Sequence, residues 1–263
     1  MGSTQITRSQ PLTTIPRQLA SSHFVDLALV DSYWTEFLGC TAEQFCEARQ
    51  TQLVESSQVV GPWAFARQGN WLVTLPAGWR TYLEDVSAVE QAVVRVFRPG
   101  SLPKQEDLDL FLSYFPVRER FGPALIYLHG APPPVFANGG TIRPLTVRDL
   151  PQVARYAATT PIPWTLLEPT IWQKVFGLFV NGELVSSCAM RVWGELLAEV
   201  YVDTAPAHRC RGYGKAVTHA TLQWIHTSTP YCAESVVELA NTASVRLLSR
   251  LGGMPYEYVI MSL

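Results

Sequence analysis

The feature that most constrains the fold is an apolar run, ELLAEVYVDTA (195–205), followed closely by HRCRGYGKA (208–216). A near-continuous apolar run of this length reads as a buried strand. After the glycines, Ala216, Ala220 and Trp224 recur every fourth residue, with Val217 and Leu222 beside them, which reads as a helix. The stretch between is therefore a strand-to-helix turn. Gly212 and Gly214 remove the Cβ atoms that would block close approach. Backbone N–H groups converge at a helix start, and the helix dipole favours an anion there. Arg209, Arg211 and Lys215 add positive charge. The turn is a candidate phosphate cradle, although neither G-x-x-x-x-G-K-[ST] nor G-x-G-x-x-G is present.

The surrounding segments extend this unit. TIRPLTVRDLPQVARYA predicts a strand and then a helix capped near Thr146 or Asp149. FGLFVNGELVSSCAMRV predicts a hairpin turned on Asn181-Gly182, two residues that tolerate positive φ. YCAESVVEL predicts a strand, NTASVRLLSRLGG a helix ending in glycine, and YEYVIMSL a last strand. The order β-α-β-β-β-α-β-α-β describes one α/β domain on a mixed sheet over residues 141–263.

Upstream, GAPPPVFANGG (130–140) is the strongest punctuation in the chain, and residues 131–140 are expected to link two domains. Residues 1–20 read as a flexible lead and residues 21–130 as a further α/β domain. Residues 22–49 show helical spacing, PWAFARQGNWLVTLP (62–76) a hairpin around Gln68-Gly69-Asn70, 86–97 and 105–115 helices, and PALIYLHG (123–130) a buried strand.

Composition removes several function classes. Hydrophobic residues make up 48% of the 263 and charged residues 16%, so there is ample material for a core. A net charge of −2 lacks the basic footprint of a nucleic-acid binder. No apolar run approaches membrane-spanning length, and the polar first 20 residues do not read as a secretory signal. Ile6 stands where a myristoylation start wants Ser or Thr. Five cysteines, an odd number without C-x-x-C, argue against a disulfide framework or zinc site and for a reducing cytoplasm. His219 and His226 are too widely spaced for a metal pair, so no metal is expected.

At this point the chain resembles the GCN5-related N-acetyltransferase (GNAT) superfamily. Its cofactor motif, loosely Q/R-x-x-G-x-G/A, is matched by Arg209-Cys210-Arg211-Gly212-Tyr213-Gly214 between a strand and a helix. The family's later asparagine, the small residue three on, and the Leu-Gly helix end are matched by Asn241, Ser244 and Leu251-Gly252. The resemblance covers residues 141–263. Residues 22–130 are similar, through YWTEFLGC and FGPALIYL, to the N-terminal part of certain two-part bacterial members, which makes the first domain readable as a degenerate GNAT-like half.

The resemblance implies a GNAT-like mixed sheet flanked by helices and direct acetyl transfer from acetyl-CoA to an amine in a ternary complex. The pyrophosphate is expected on residues 209–215, meaning Arg209, Cys210, Arg211, Gly212, Tyr213, Gly214 and Lys215, with Asn241 and Ser244 assisting. The pantetheine arm is expected along the backbone of Val202, Asp203 and Thr204, between splayed strands, where one N–H polarises the thioester carbonyl. Glu199 is the leading candidate base, with Asp203 and Glu234 in reserve. Trp164 and Trp172 are candidates to line the acceptor pocket. The position of the family's thiolate-protonating tyrosine holds Leu248, while Tyr201 and Tyr231 remain candidates to face the gap. The expected partners are acetyl-CoA and the primary amine of a small molecule, with neither nucleic acid nor membrane; the oligomeric state stays open. The leucine keeps a non-catalytic acyl-CoA-binding or regulatory module in view. Another acyl-CoA or a protein amine is a further alternative.

Overall fold

The computed structural model describes residues 25–262 apart from 48–49, 82, 84, 117–118, 134–138 and 161–170. The architecture is mixed α/β, built on one sheet whose strands run in the order β1-β3-β2-β10-β4-β9-β8-β7-β6-β5.

The N-terminal portion supplies helices α1 (Leu27–Leu38) and α2 (Ala42–Cys46), strands β1 (Gln52–Ser56), β2 (Trp63–Arg67) and β3 (Asn70–Pro76), helices α3 (Val86–Val96) and α4 (Gln105–Leu112), and strand β4 (Arg120–His129). The C-terminal portion supplies β5 (Thr141–Pro144), α5 (Leu150–Ala157), β6 (Lys174–Val180), β7 (Glu183–Trp193), β8 (Leu197–Thr204), α6 (Tyr213–Ser228), β9 (Cys232–Glu238), α7 (Thr242–Arg250) and β10 (Met254–Ser262). The second series has the expected order, and the expected hairpin turns are present. Asn181 and Gly182 have φ of 51° and 80°, and Gln68 and Gly69 have φ of 50° and 83°. Strand β1 escaped the sequence reading. It pairs parallel with β3 rather than in a hairpin, so no turn signal announces it.

The sheet does not break at residues 131–140, of which 134–138 lie outside the described residues. Strand β4 is inserted between β9 and β10, two strands that follow one another in the chain. Strand β10 in turn pairs with β2 on its other edge and never with β9. The two portions are thus interleaved, each completing the other's part of the sheet.

Helices cover both faces because the strands are apolar on both. On one face α3 and α4 bury Trp71, Val73, Phe97 and Phe111, while α6 covers Cys188, Met190, Ala198 and Val200. Helix α7 sets Leu248 against Leu125, Tyr127 and Val237 on that face. On the opposite face α1 packs Tyr33, Trp34 and Phe37 on Trp63, Phe65 and Ile126, and this cluster extends to Trp193 and Leu197. Helix α5 packs Val153 and Tyr156 over Val175, Leu184 and Ala189. A charged contact pins α1 to the interleaved strands. Arg67 reaches Asp31 at 2.8 Å and Glu257 at 2.6 Å, and its guanidinium lies 4.6 Å from the Tyr256 ring centre.

Strand β4 also buries a histidine beneath α7. His129 is 4% exposed, with Nε2 3.0 Å from Ser235 Oγ on β9. Burial pushes its imidazole down from 6.5 to about 4. A group whose folded pKa lies below its unfolded value leaves the unfolded chain binding more protons between the two. Stability is therefore full above about pH 6.5 and falls as the pH drops toward 4. Between about pH 7.5 and about pH 5 this costs roughly 2 kcal/mol. Urea unfolding at the two pH values is expected to show that loss in the wild type and a much smaller one in His129→Gln; an identical loss in both removes His129 as the cause.

Candidate active site

Strands β8 and β9 run parallel but pair over only three positions, Leu197↔Cys232, Ala198↔Ala233 and Glu199↔Glu234. Beyond these, β8 stays joined to β7 as far as Thr204↔Ser186, and β9 stays joined to β4 as far as Glu238↔Ala124. The sheet therefore parts between β8 and β9. The edge of β8 from Val200 to Thr204 faces a gap, and Glu199 and Glu234 mark its vertex.

The glycine turn stands at the wide end of the gap. Helix α6 begins at Gly212, whose φ of 80° is open to few residues other than glycine, and no side chain caps the helix. Helices α1, α2, α3 and α7 are capped by Asp26, Thr41, Asp85 and Asn241, whereas α4 and α5, like α6, have no side-chain cap. An uncapped start leaves first-turn N–H groups for another acceptor. Gly214 is held tightly: a Cβ there would lie 3.0 Å from Thr204 Oγ1 and 3.4 Å from Leu247 Cδ1. Arg209 folds back so that Nε donates to the Thr204 carbonyl at 3.0 Å, with Asp203 3.6 Å away. Cys210, Arg211 and Gly212 are exposed, Lys215 is half-buried, and Tyr213 is buried in the α6 core. The residues proposed for the phosphate thus gather at one helix start, with Tyr213 serving as packing.

Of the proposed backbone segment, Thr204 is already engaged. Its N–H donates to Asp203 Oδ1 at 2.7 Å. The Asp203 carbonyl accepts from Ser186 Oγ at 2.7 Å, on the β7 side, so Val202 is the position of the three whose backbone faces the gap. Asn241 spends Oδ1 on the Ser244 N–H at 3.2 Å, so these two residues fix the start of α7.

The acidic candidates share the face that α5 and α1 cover. Alternation along β8 places Glu199, Tyr201 and Asp203 together there, and the register brings Glu234 alongside Glu199. Glu199 and Glu234 are buried at 6% and 1% exposure. Two residues that sequence reasoning missed organise this face. Arg191, opposite Glu199 on β7, places Nε 2.9 Å from Glu199 Oε2 and also donates to the Tyr201 hydroxyl. Trp193 donates its indole N–H to the same Glu199 oxygen. The guanidinium lies 4.1 Å from the Trp193 ring centre and 4.7 Å from that of Tyr201. An arginine in the apolar run of β7 was the available signal, since a strand buried on both faces rarely carries a charge without a partner. Burial raises the Asp203 carboxyl above its ordinary value, partly offset by the Thr204 N–H and Arg209. Trp172 meets Tyr201 edge-on at 5.1 Å, whereas Trp164 lies outside the described residues. Among the described residues, no group of His, Cys, Asp and Glu could hold a metal ion.

Residues 175–260 match the family model described as FR47-like protein. No curated protein matches the chain significantly. Solved structures with a similar fold include a GNAT-family acetyltransferase from Novosphingobium aromaticivorans, 22% identical, covering 56% of this chain and 67% of that one with a TM-score of 0.44. Another, a GNAT-family acetyltransferase from Colwellia psychrerythraea, is 14% identical and covers 79% of this chain and 82% of that one with a TM-score of 0.46. A GCN5-related N-acetyltransferase from Kribbella flavida is 20% identical, covering 56% and 58% respectively with a TM-score of 0.41. These three are likenesses of fold alone. The parted strands and the glycine turn fall within residues 175–260, the segment that is similar to the FR47-like family.

Proposed function

We propose that the protein transfers an acetyl group from acetyl-CoA to the primary amine of a small molecule, both bound at once. The observation that carries this reading is the parting of β8 from β9 after Glu199 and Glu234, with the uncapped start of α6 at the open end. A gap edged by unpaired strand and ending in free helix amides fits an extended chain terminated by phosphates. The first turn of α6, with Arg211 and Lys215, would hold the pyrophosphate. The β8 edge at Val202 would hold a pantetheine amide. Acetyl-CoA supplies, when bound, an acyl group activated as a thioester.

The chain's own residues supply the rest. A backbone N–H on β8 donates to the acyl oxygen as charge develops there. Glu199, at the vertex, takes the proton from the acceptor nitrogen. An amine with a pKa near 10.4 costs about 4.6 kcal/mol to hold neutral at pH 7, so a positioned carboxylate matters. Arg191 and Trp193 fix one oxygen of that carboxylate and so set where the group points.

Thiol release from acetyl-CoA across a panel of amines tests the reading. Glu199→Gln is expected to lower kcat by about 10²-fold while calorimetric affinity for acetyl-CoA stays the same. Full activity with an unaltered pH–rate profile would move the base to Asp203 or Glu234. A second reading has its own support. Leu248 lies in an apolar cluster with Leu125 and Val237, where the family's acid would stand, as in an acyl-CoA-binding module without catalysis. Tight acetyl-CoA binding without thiol release to any amine would favour it.

A further inference from the structure

We infer that the acceptor is an α-amino acid, whose carboxylate is held by Arg191 while its amine faces Glu199. The inference rests on the acetyl-transfer reading above and names the acceptor class for that same site.

Alternation along the strands sets the place of Arg191. On β7, Ala189, Arg191 and Trp193 share one face. Ala189 packs in the cluster under α5, and Trp193 belongs to the cluster under α1. Strand β8 repeats the pattern. Tyr201 packs against the α5 cluster, Leu197 belongs to the α1 cluster, and Glu199 stands between them. The register puts Arg191 directly opposite Glu199. The pair therefore occupies the seam between the two apolar clusters, with the Arg191 side chain 25% exposed. An acceptor that reaches Glu199 along this seam passes the guanidinium.

The guanidinium is fixed but not fully engaged. Nε and Nη2 each lie 2.9 Å from Glu199 Oε2, and Nη2 also donates to the Tyr201 hydroxyl. The Trp193 and Tyr201 rings, centred 4.1 and 4.7 Å away, hold its plane. Among the described residues nothing accepts from Nη1, and that nitrogen is open to solvent. A rigid fork with one free donor nitrogen is a pre-oriented receptor for an oxyanion. Nearby charge selects which one. Glu234 lies beside Glu199 in the β8–β9 register and acts on the same guanidinium. Two carboxyl groups around one guanidinium admit an ammonium and resist a dianion such as a phosphate monoester. A single carboxylate on an amine-bearing acceptor meets both demands. Glu199 and Arg191 are in contact, so the two groups they recognise must be neighbours as well. An amine and a carboxylate on one carbon fit that spacing, whereas a simple amine would leave Nη1 to water.

The test measures thiol release from acetyl-CoA by the full chain with the common amino acids. For each one that reacts, its carboxamide, its α-aminophosphonate and the amine left by removing the carboxyl group are compared. The wild type is expected to show kcat/KM about 10- to 100-fold higher for the amino acid than for the other three, carried mainly by KM, as suits a charge-assisted hydrogen bond. In Arg191→Lys, which keeps a cation beside Glu199 but loses the fork, the ratio of amino acid to carboxamide is expected to fall to near one. Loss of the Glu199 contact alone would slow both acceptors alike and leave that ratio in place. Carboxamides or simple amines that match the amino acids in the wild type overturn the inference while leaving acetyl transfer standing. So does a phosphonate that outpaces them, or an unchanged ratio in Arg191→Lys. No thiol release with any amino acid or amine overturns both readings.

Discussion

Valine at Gly212 or Gly214 is expected to abolish measurable acetyl-CoA binding, a loss of at least about 100-fold, without unfolding the protein. The two glycines fail for different reasons. Gly212 has a φ of 80°, where a β-branched side chain is strained, so valine there would rotate the amides that open α6. Gly214 is limited by space. Its Cβ would stand 3.0 Å from Thr204 Oγ1, 3.4 Å from Leu247 Cδ1 and 3.7 Å from Val202 Cγ2. The methyls of valine would push the start of α6 away from β8 and shut the end of the gap. The large clusters around Trp34 and Trp79 lie elsewhere in the sheet and keep the fold. Calorimetry with acetyl-CoA, alongside circular dichroism and thermal melts, separates the effects. Native affinity in both valine variants would mean that the phosphates do not bind at this turn.

A fragment of residues 141–263 is expected to be insoluble, although it holds every residue proposed for the cofactor. Removing β4 strips β9 of the neighbour it meets from Ala233 to Glu238. Strand β10 loses both neighbours, β2 and β4. Leu125 and Tyr127, which cover Leu248 of α7, would also go. Three open strand edges and an uncovered apolar face lead to aggregation. Co-expression of residues 21–140 with residues 141–263 is expected to restore a soluble complex that binds acetyl-CoA. A soluble, monomeric 141–263 fragment with native affinity would show that the interleaved strands are dispensable.

Much of this architecture was legible before any coordinates. The hairpin at Asn181-Gly182 follows from two residues that accept positive φ, and both adopt it. The starts of α6 and α7 follow from Gly212 and from Asn241, whose side chain caps its helix as its type suggests. These are local matters, settled within a few residues by backbone sterics and by hydrogen bonds between neighbours. The strand β1 was missed because a parallel partner leaves no local trace.

The candidate site divides in the same way. The turn proposed for the phosphates is contiguous, so its residue types and their spacing appear together in the chain. Glu199 could be named as a carboxylate on a strand, but its surroundings could not. Arg191 and Tyr201 meet it because Arg191 falls opposite Glu199 in the β7–β8 register, and a shift of one residue would send Glu199 to the face that α6 covers. The place of β4 between β9 and β10 was equally hidden. Alternation along a strand says which residues share a face, but any apolar strand can pair with many others. The sequence by itself determined most of the elements, their order and the glycine turn before α6, all of which rest on short-range sterics and hydrogen bonding. Only the tertiary structure decided which strands lie side by side, because that choice depends on how the whole set of apolar faces is buried at once. The company Glu199 keeps and the dependence of each portion on the other both follow from that choice.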